Sequence, residues 1–283
     1  MKSDLKVYLE TAKSHAQALN LMREYLQARI LTALQEQGAM IPLAFHGGTA
    51  LRFLYQLPRF SEDIYFSLEN PAGDYDFQNY LAFISNQLLL EGYPVNIKFN
   101  DRKVVNHAFV SFPGLLYELG LSPHADQNFT IKLEVDTRPP QGARLMTSLI
   151  RYRELFINIQ HHDKASLLAG KVHAVLQRKY LKGRDVFDLV WYLSDPLWPL
   201  PNFDMLKYAM EQSGWEGPQL SGFNWKTILY EKLSKTDFER VREDVRPFLA
   251  RQDDQTFLHW DMIKSLLTNH GEHTLDSNRD VTR

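Results

Sequence analysis

A chain of 283 residues can bury one large core or two modest ones, because domains run to about 100–200 residues each. Lys plus Arg number 32 against 34 for Asp plus Glu, so bulk charge excludes a generally basic nucleic-acid binder, and any such contact has to come from a local patch. There is no cysteine, which excludes disulfides and thiolate metal centres. No apolar run approaches the roughly 20 residues that cross a bilayer. The opening MKSDLKVYLE also lacks the apolar run of a signal peptide, so a cytoplasmic protein with no membrane partner is expected.

Leu5, Leu19, Met22, Leu26, Ile30 and Leu34 stand near helical spacing and predict a helix over 4–37. Ile41 to Phe45 is a short apolar run that meets Gly47-Gly48, the pattern of a buried strand entering a tight turn. A helix over 49–57 follows and is broken by Pro58. Apolar and polar positions alternate from Asp63 to Leu68, a strand, and 75–92 reads as helix. Strands are expected over 93–99, 104–112 and 129–136, with one more short strand over 155–159. Beyond about residue 160 the strand signals stop. Helices are expected over 161–181, over 185–193 and in pieces between 204 and 270, with a polar tail from about Gly271 that should fray. Strands early and helices late predict an α+β protein: a core domain over 1–160 and a helical domain over 161–283.

Three groups of residues carry chemistry. Gly47 and Gly48 let backbone approach a ligand that a Cβ would exclude, and the helix opening at Thr49 offers unpaired N–H groups to an anion. That is a phosphate cradle, or else a plain strand-to-helix turn. Lys132, Glu134 and Asp136 share one strand face while Ile131, Leu133 and Val135 share the other, so the charged face looks at water or at a site. From Lys164 to Arg184 there are six basic residues and no acidic one. Lys164, Lys171 and Arg178 recur every seventh residue beside the apolar stripe of Leu168, Val172, Val175 and Leu176. Such a stripe overhangs a cleft, or its side chains snorkel at a helix edge. Asp185 and Asp188 fall in the first turn of the next helix, where acids favour the dipole. His46 reads as a packed strand-end histidine, His161-His162-Asp163 as helix-start chemistry or a metal group, and the five tryptophans as core anchors of the helical domain.

The segment FHGGTALRFLYQLPRFSEDIYFSLE, from Phe45 to Glu69, resembles the first motif of the AbiEii/AbiGii toxin family of nucleotidyltransferases, in the DNA polymerase β superfamily. Gly47, Gly48, Thr49, Leu51, Tyr55, Arg59, Phe60, Ser61, Glu62 and Asp63 match it. The 129–136 strand resembles the one that supplies a third acid, with Glu134 aligning best. Lys171, Ala174, Arg178, Arg184, Asp185, Asp188 and Leu189 match a third motif, so that the resemblance covers roughly 40–195.

This resemblance implies a polymerase β-like domain with a mixed sheet, followed by a helical C-terminal domain. It implies Mg²⁺ held by Asp63 and Glu134, with Asp136 as a further candidate ligand. Gly47, Gly48, Thr49, Arg59, Lys171 and Arg178 would bind the nucleotide, and Asp63, Glu134, Lys171 and Asp185 would serve catalysis. The implied activity is transfer of a nucleoside monophosphate from a triphosphate to an acceptor such as tRNA, in a toxin of a phage-defence system paired with an antitoxin. At one position the chain departs from the family. The second aspartate of an Asp-x-Asp strand would fall at position 65, and the residue there is Tyr65. A phenol with an ordinary pKa near ~10 is neutral at pH 7 and a poor Mg²⁺ ligand. An impaired relative that binds nucleotide or an antitoxin without turnover is therefore the alternative.

Overall fold

Among the described residues, 2–71 and 74–268, the computed structural model forms one seven-stranded mixed sheet with helices packed around it. In chain order the elements are α1 (Lys2–Leu9), α2 (His15–Glu36), β1 (Leu43–His46), α3 (Gly47–Tyr55), β2 (Ile64–Leu68) and α4 (Phe77–Leu90). They continue with β3 (Asn96–Asn100), β4 (Val105–Phe112), α5 (Leu115–Glu118), β5 (Phe129–Asp136), β6 (Leu145–Tyr152) and β7 (Leu155–His162). The remainder is helical: α6 (Lys164–Gln177), α7 (Gly183–Ser194), α8 (Phe203–Gln212), α9 (Trp225–Leu233), α10 (Phe238–Val245) and α11 (Trp260–Thr268).

The strand order is β3-β4-β5-β2-β1-β7-β6. β2 runs parallel to β5, and β1 parallel to β7, while the other neighbours are antiparallel. Period-two alternation explains why β5 sits centrally. Phe129, Ile131, Leu133 and Val135 are buried, and Thr130, Lys132, Glu134 and Asp136 stand half-buried on the opposite face. α2 packs against α4 and β7, and α6 packs against α3, α7 and α8. One cluster of buried side chains runs from Leu5 through the sheet to Leu267, so the strand-bearing and helical parts share a core.

Several boundaries differ from the sequence expectation. The helix expected over 4–37 is two helices, because Ser14 takes an extended conformation and accepts a hydrogen bond from the Gln17 N–H, starting α2 afresh. The expected 161–181 helix begins at Lys164, since His161 and His162 still belong to β7 and Asp163 caps the helix by accepting from the Ser166 N–H. It ends at Gln177, and the chain to Lys182 is a connection. β6 was not foreseen at all. It is an edge strand whose residues are mostly exposed, so it shows no alternation to read. The polar stretch from about Gly271 lies outside the described residues. No helix among the described residues is long and apolar enough to cross a membrane.

Candidate nucleotide site

β1 delivers the chain to the cleft and α3 carries it away. Between them Gly47 takes φ +79°, a left-handed conformation that a Cβ would strain, and a Cβ there would stand 3.2 Å from the Tyr65 ring. Gly48 is required for a different reason. A Cβ on it would lie 2.6 Å from the Arg59 guanidinium. Both glycines line a cavity of about 490 Å³ between the sheet, α6 and α8, within the range of about 300–1,000 Å³ usual for small-molecule sites. Thr49 does not face this cavity. It is fully buried, and its hydroxyl donates to the Asp63 carbonyl, tying the turn to the start of β2.

Asp63 and Tyr65 meet at the cavity wall. The Tyr65 phenol donates to Asp63 Oδ2 at 2.9 Å. Burial pushes the Asp63 carboxyl above its ordinary range; the Tyr65 hydrogen bond offsets part of that, while Glu62 and Glu134 add to it. Burial, with Asp63 beside it, raises the Tyr65 phenol well above its ordinary value, so it stays a neutral donor. Glu134 is the cross-strand partner of Tyr65, but its carboxylate pairs with Lys132 at 2.6 Å and does not line the cavity. Asp136 does line it. Its register partner is Ser67, four residues along from Asp63 and so about 13 Å away along the strand.

Behind the glycines lies a buried ion network. Arg59 is 2% exposed and grips Asp188 with two hydrogen bonds of 2.6 Å, while donating a third to its own neighbour's carbonyl at Phe60. Asp188 also holds the Lys171 ammonium at 2.7 Å, and Asp185 holds it at 3.0 Å. Arg178 reaches Asp185 at 3.3 Å. Burial alone would raise the Asp185 carboxyl, but Lys171 and Arg178 together hold it below its ordinary range. Lys171 lines the cavity from α6 and Arg178 from the residue that ends it, with Lys182, Arg184 and Asp185 from the next segment. Lys164, the third member of the expected basic stripe, lies instead over the Trp198 ring at 4.4 Å.

Of the residues singled out from the sequence, the structure brings Gly47, Gly48, Arg59, Asp63, Asp136, Lys171, Arg178 and Asp185 to one cavity, and leaves Thr49 and Glu134 outside it. Arg59 spends its guanidinium on Asp188. The role of Asp188 as the hub of Arg59 and Lys171 was not foreseen, because its helix-start position explains the residue locally and its partner is 129 positions away. A second unforeseen group sits on the cavity wall: His162 Nε2 meets Ser67 Oγ at 2.9 Å and Glu69 Oε1 at 2.8 Å. Both contacts use the same nitrogen, so the three do not form a proton relay through the ring.

The two-carboxylate arrangement that Mg²⁺ commonly uses beside substrate phosphates is not assembled here, and among the described residues no group of three His, Asp or Glu side chains converges. Asp63 is capped by a phenol, Glu134 is paired with Lys132, and Asp136 lies too far along its strand.

A mixed sheet, a glycine turn opening α3, and a lysine held by Asp185 and Asp188 meet at one cavity of an α+β protein. The model of the family described as the nucleotidyl transferase AbiEii toxin, type IV toxin–antitoxin system, matches residues 29–262, and the chain belongs to that family. No curated protein matches the chain. Among solved structures it is similar to JHP933 from Helicobacter pylori, at 18% identity with 87% of this chain and 94% of that one covered and a TM-score of 0.42. It is also similar to an antigenic nucleotidyltransferase-like protein from Paracoccidioides brasiliensis, at 16% identity with 73% and 92% covered and a TM-score of 0.40.

Proposed function

We propose that this chain is an AbiEii-family toxin that binds a nucleoside triphosphate in the cavity and in which transfer of the nucleoside monophosphate to an acceptor is strongly attenuated. The observation that carries this reading is Tyr65, whose phenol caps Asp63 where the family pattern places a second carboxylate. Support for phosphate binding comes from the groups that line the rest of the cavity. The α3 N-terminus presents backbone N–H groups at Gly47 and Gly48, and Lys171 and Arg178 stand across the cavity, held in place by Asp185 and Asp188. Asp63 would accept the proton of an attacking hydroxyl, but its Oδ2 already accepts from the Tyr65 phenol. Family membership in a toxin–antitoxin system supports an antitoxin as partner, and a nucleic-acid end, such as that of tRNA, is the acceptor proposed with it.

Titration calorimetry of nucleoside triphosphates into the wild type and Lys171→Met tests this. The wild type should bind, and the variant should lose about tenfold or more in affinity through removal of one charge-assisted contact. Absence of binding by the wild type would leave the chain a family member without a nucleotide function.

A further inference from the structure

An open sheet has two edges, and the two here are finished differently. β3 is five residues long, carries an exposed Lys98 and runs into Asp101, Arg102 and Lys103. Short length and charge are what keep an edge from pairing with another chain. β6 has eight residues, LMTSLIRY, with no proline, glycine or lysine and a single charge at Arg151. Its Leu145, Met146 and Leu149 are 40%, 50% and 66% exposed, and Phe156 beside it on β7 is 59% exposed. Tyr152 pairs with Leu155 across a two-residue turn, and the Asp163 N–H donates to the Arg144 carbonyl at 2.8 Å. The even-numbered residues of β6 therefore turn their backbone groups toward β7. Those of Leu145, Thr147, Leu149 and Arg151 point the other way, where no further strand follows among the described residues. No residue of β6 lines the nucleotide cavity, so this edge is separate from the site above.

We infer that β6 is an interface between two copies of this chain, paired antiparallel edge to edge across a twofold axis at Leu149. Outward backbone groups must meet outward groups, so an odd-numbered residue faces an odd-numbered one. Centred on Leu149, the pairing sets Leu149 against the partner's Leu149, Thr147 against the partner's Arg151, and Met146 against the partner's Tyr152. It also brings Arg144 to the hairpin turn that carries the partner's Glu154, a side chain 54% exposed, and symmetry makes that approach twice. No two like charges face each other. Centring on Ser148 or Ile150 instead would set Leu149 against the partner's Thr147 or Arg151, losing both the apolar pair and the charge match. The edge is thus complementary to itself in one register, which is what a twofold contact requires.

The experiment is light scattering after size exclusion, over a dilution series of wild type, Leu149→Lys, Leu149→Glu, an equimolar mixture of those two, and Leu90→Lys. Leu149 is mostly exposed, so its variants should fold, and their melting temperatures check that. Wild type should run at twice the 33.0 kDa of one chain. Either single variant puts like charges face to face across the axis and should weaken self-association about tenfold or more. The mixture sets lysine against glutamate and should recover the dimer. Leu90 is 80% exposed on α4, so Leu90→Lys makes the same chemical change elsewhere and should leave the dimer in place. Wild type at the mass of one chain at every concentration would overturn the interface. So would a dimer that survives in both Leu149 variants, or one lost equally in Leu90→Lys. A mixture that stays monomeric would overturn the register centred on Leu149.

Discussion

Replacing Asp188 by asparagine perturbs the point on which the most charges depend. Asp188 is fully buried and accepts from Arg59 at 2.6 Å twice and from Lys171 at 2.7 Å. In Asp188→Asn one oxygen becomes an NH₂ that faces a donor, and Arg59, itself 2% exposed, keeps its charge without a carboxylate. Breaking a buried pair from one side costs about 3–5 kcal/mol. For a protein of this size each kcal/mol moves the midpoint by roughly 2–4 °C, so the variant should melt about 6–20 °C below wild type. Differential scanning fluorimetry reads this, and guanidinium denaturation checks that the change lies in stability and not in the unfolded state. The companion Arg59→Met/Asp188→Leu removes both charges and should recover part of the loss, since an apolar pair of similar volume replaces a buried ion pair at little or no cost. A single variant that melts within about 2 °C of wild type would refute the assignment of Asp188 as the hub of the network.

Three further outcomes follow from named contacts. Gly48→Ala places a Cβ 2.6 Å from the Arg59 guanidinium and 3.1 Å from Ser61 Oγ, so it should push Arg59 off Asp188 and destabilise by about 1–3 kcal/mol in a denaturant melt. Gly170→Ala, whose Cβ meets nothing, should instead stabilise by up to about 1 kcal/mol through helix propensity. His46 sits at about 3 when folded against an ordinary 6.5, so the unfolded chain binds its proton more readily. Its contribution to stability is full above pH 6.5 and is lost as pH falls from there toward 3. Stability measured between pH 7 and 4 should therefore decline less steeply in His46→Gln than in wild type, and parallel declines would contradict the shift.

The parts of the fold that were legible are those where burial imposes a period. β5 announced itself because every second residue is apolar, and the same alternation put Glu134 and Asp136 on the site's side of the sheet. The turn at Gly47-Gly48 was legible because only glycine tolerates both the left-handed φ and the close guanidinium. β6 was not, since an exposed edge strand carries no periodic pattern. In the site, the strand register could not be read from the chain. Only the pairing of Tyr65 with Glu134 and of Ser67 with Asp136 reveals that Asp136 cannot stand in for the missing acid beside Asp63. Arg59 illustrates a different limit. A conspicuous arginine in a nucleotide motif invites a phosphate role, yet its partner is an aspartate 129 residues on, and contacts of that separation leave no local trace.

Tyr65 is the residue on which the proposed chemistry turns, and Tyr65→Asp changes it while Gly47, Gly48, Lys171 and Arg178 keep their identities. Nucleotide affinity and nucleotidyl transfer should be measured for both forms, with Mg²⁺ and with chelator. Wild type should bind equally in both conditions and turn over negligibly, while the aspartate form should gain Mg²⁺-dependent affinity and transfer activity. Wild-type transfer that stops when the ion is removed, or an aspartate form indifferent to the ion, would contradict the phenol as the cause of attenuation.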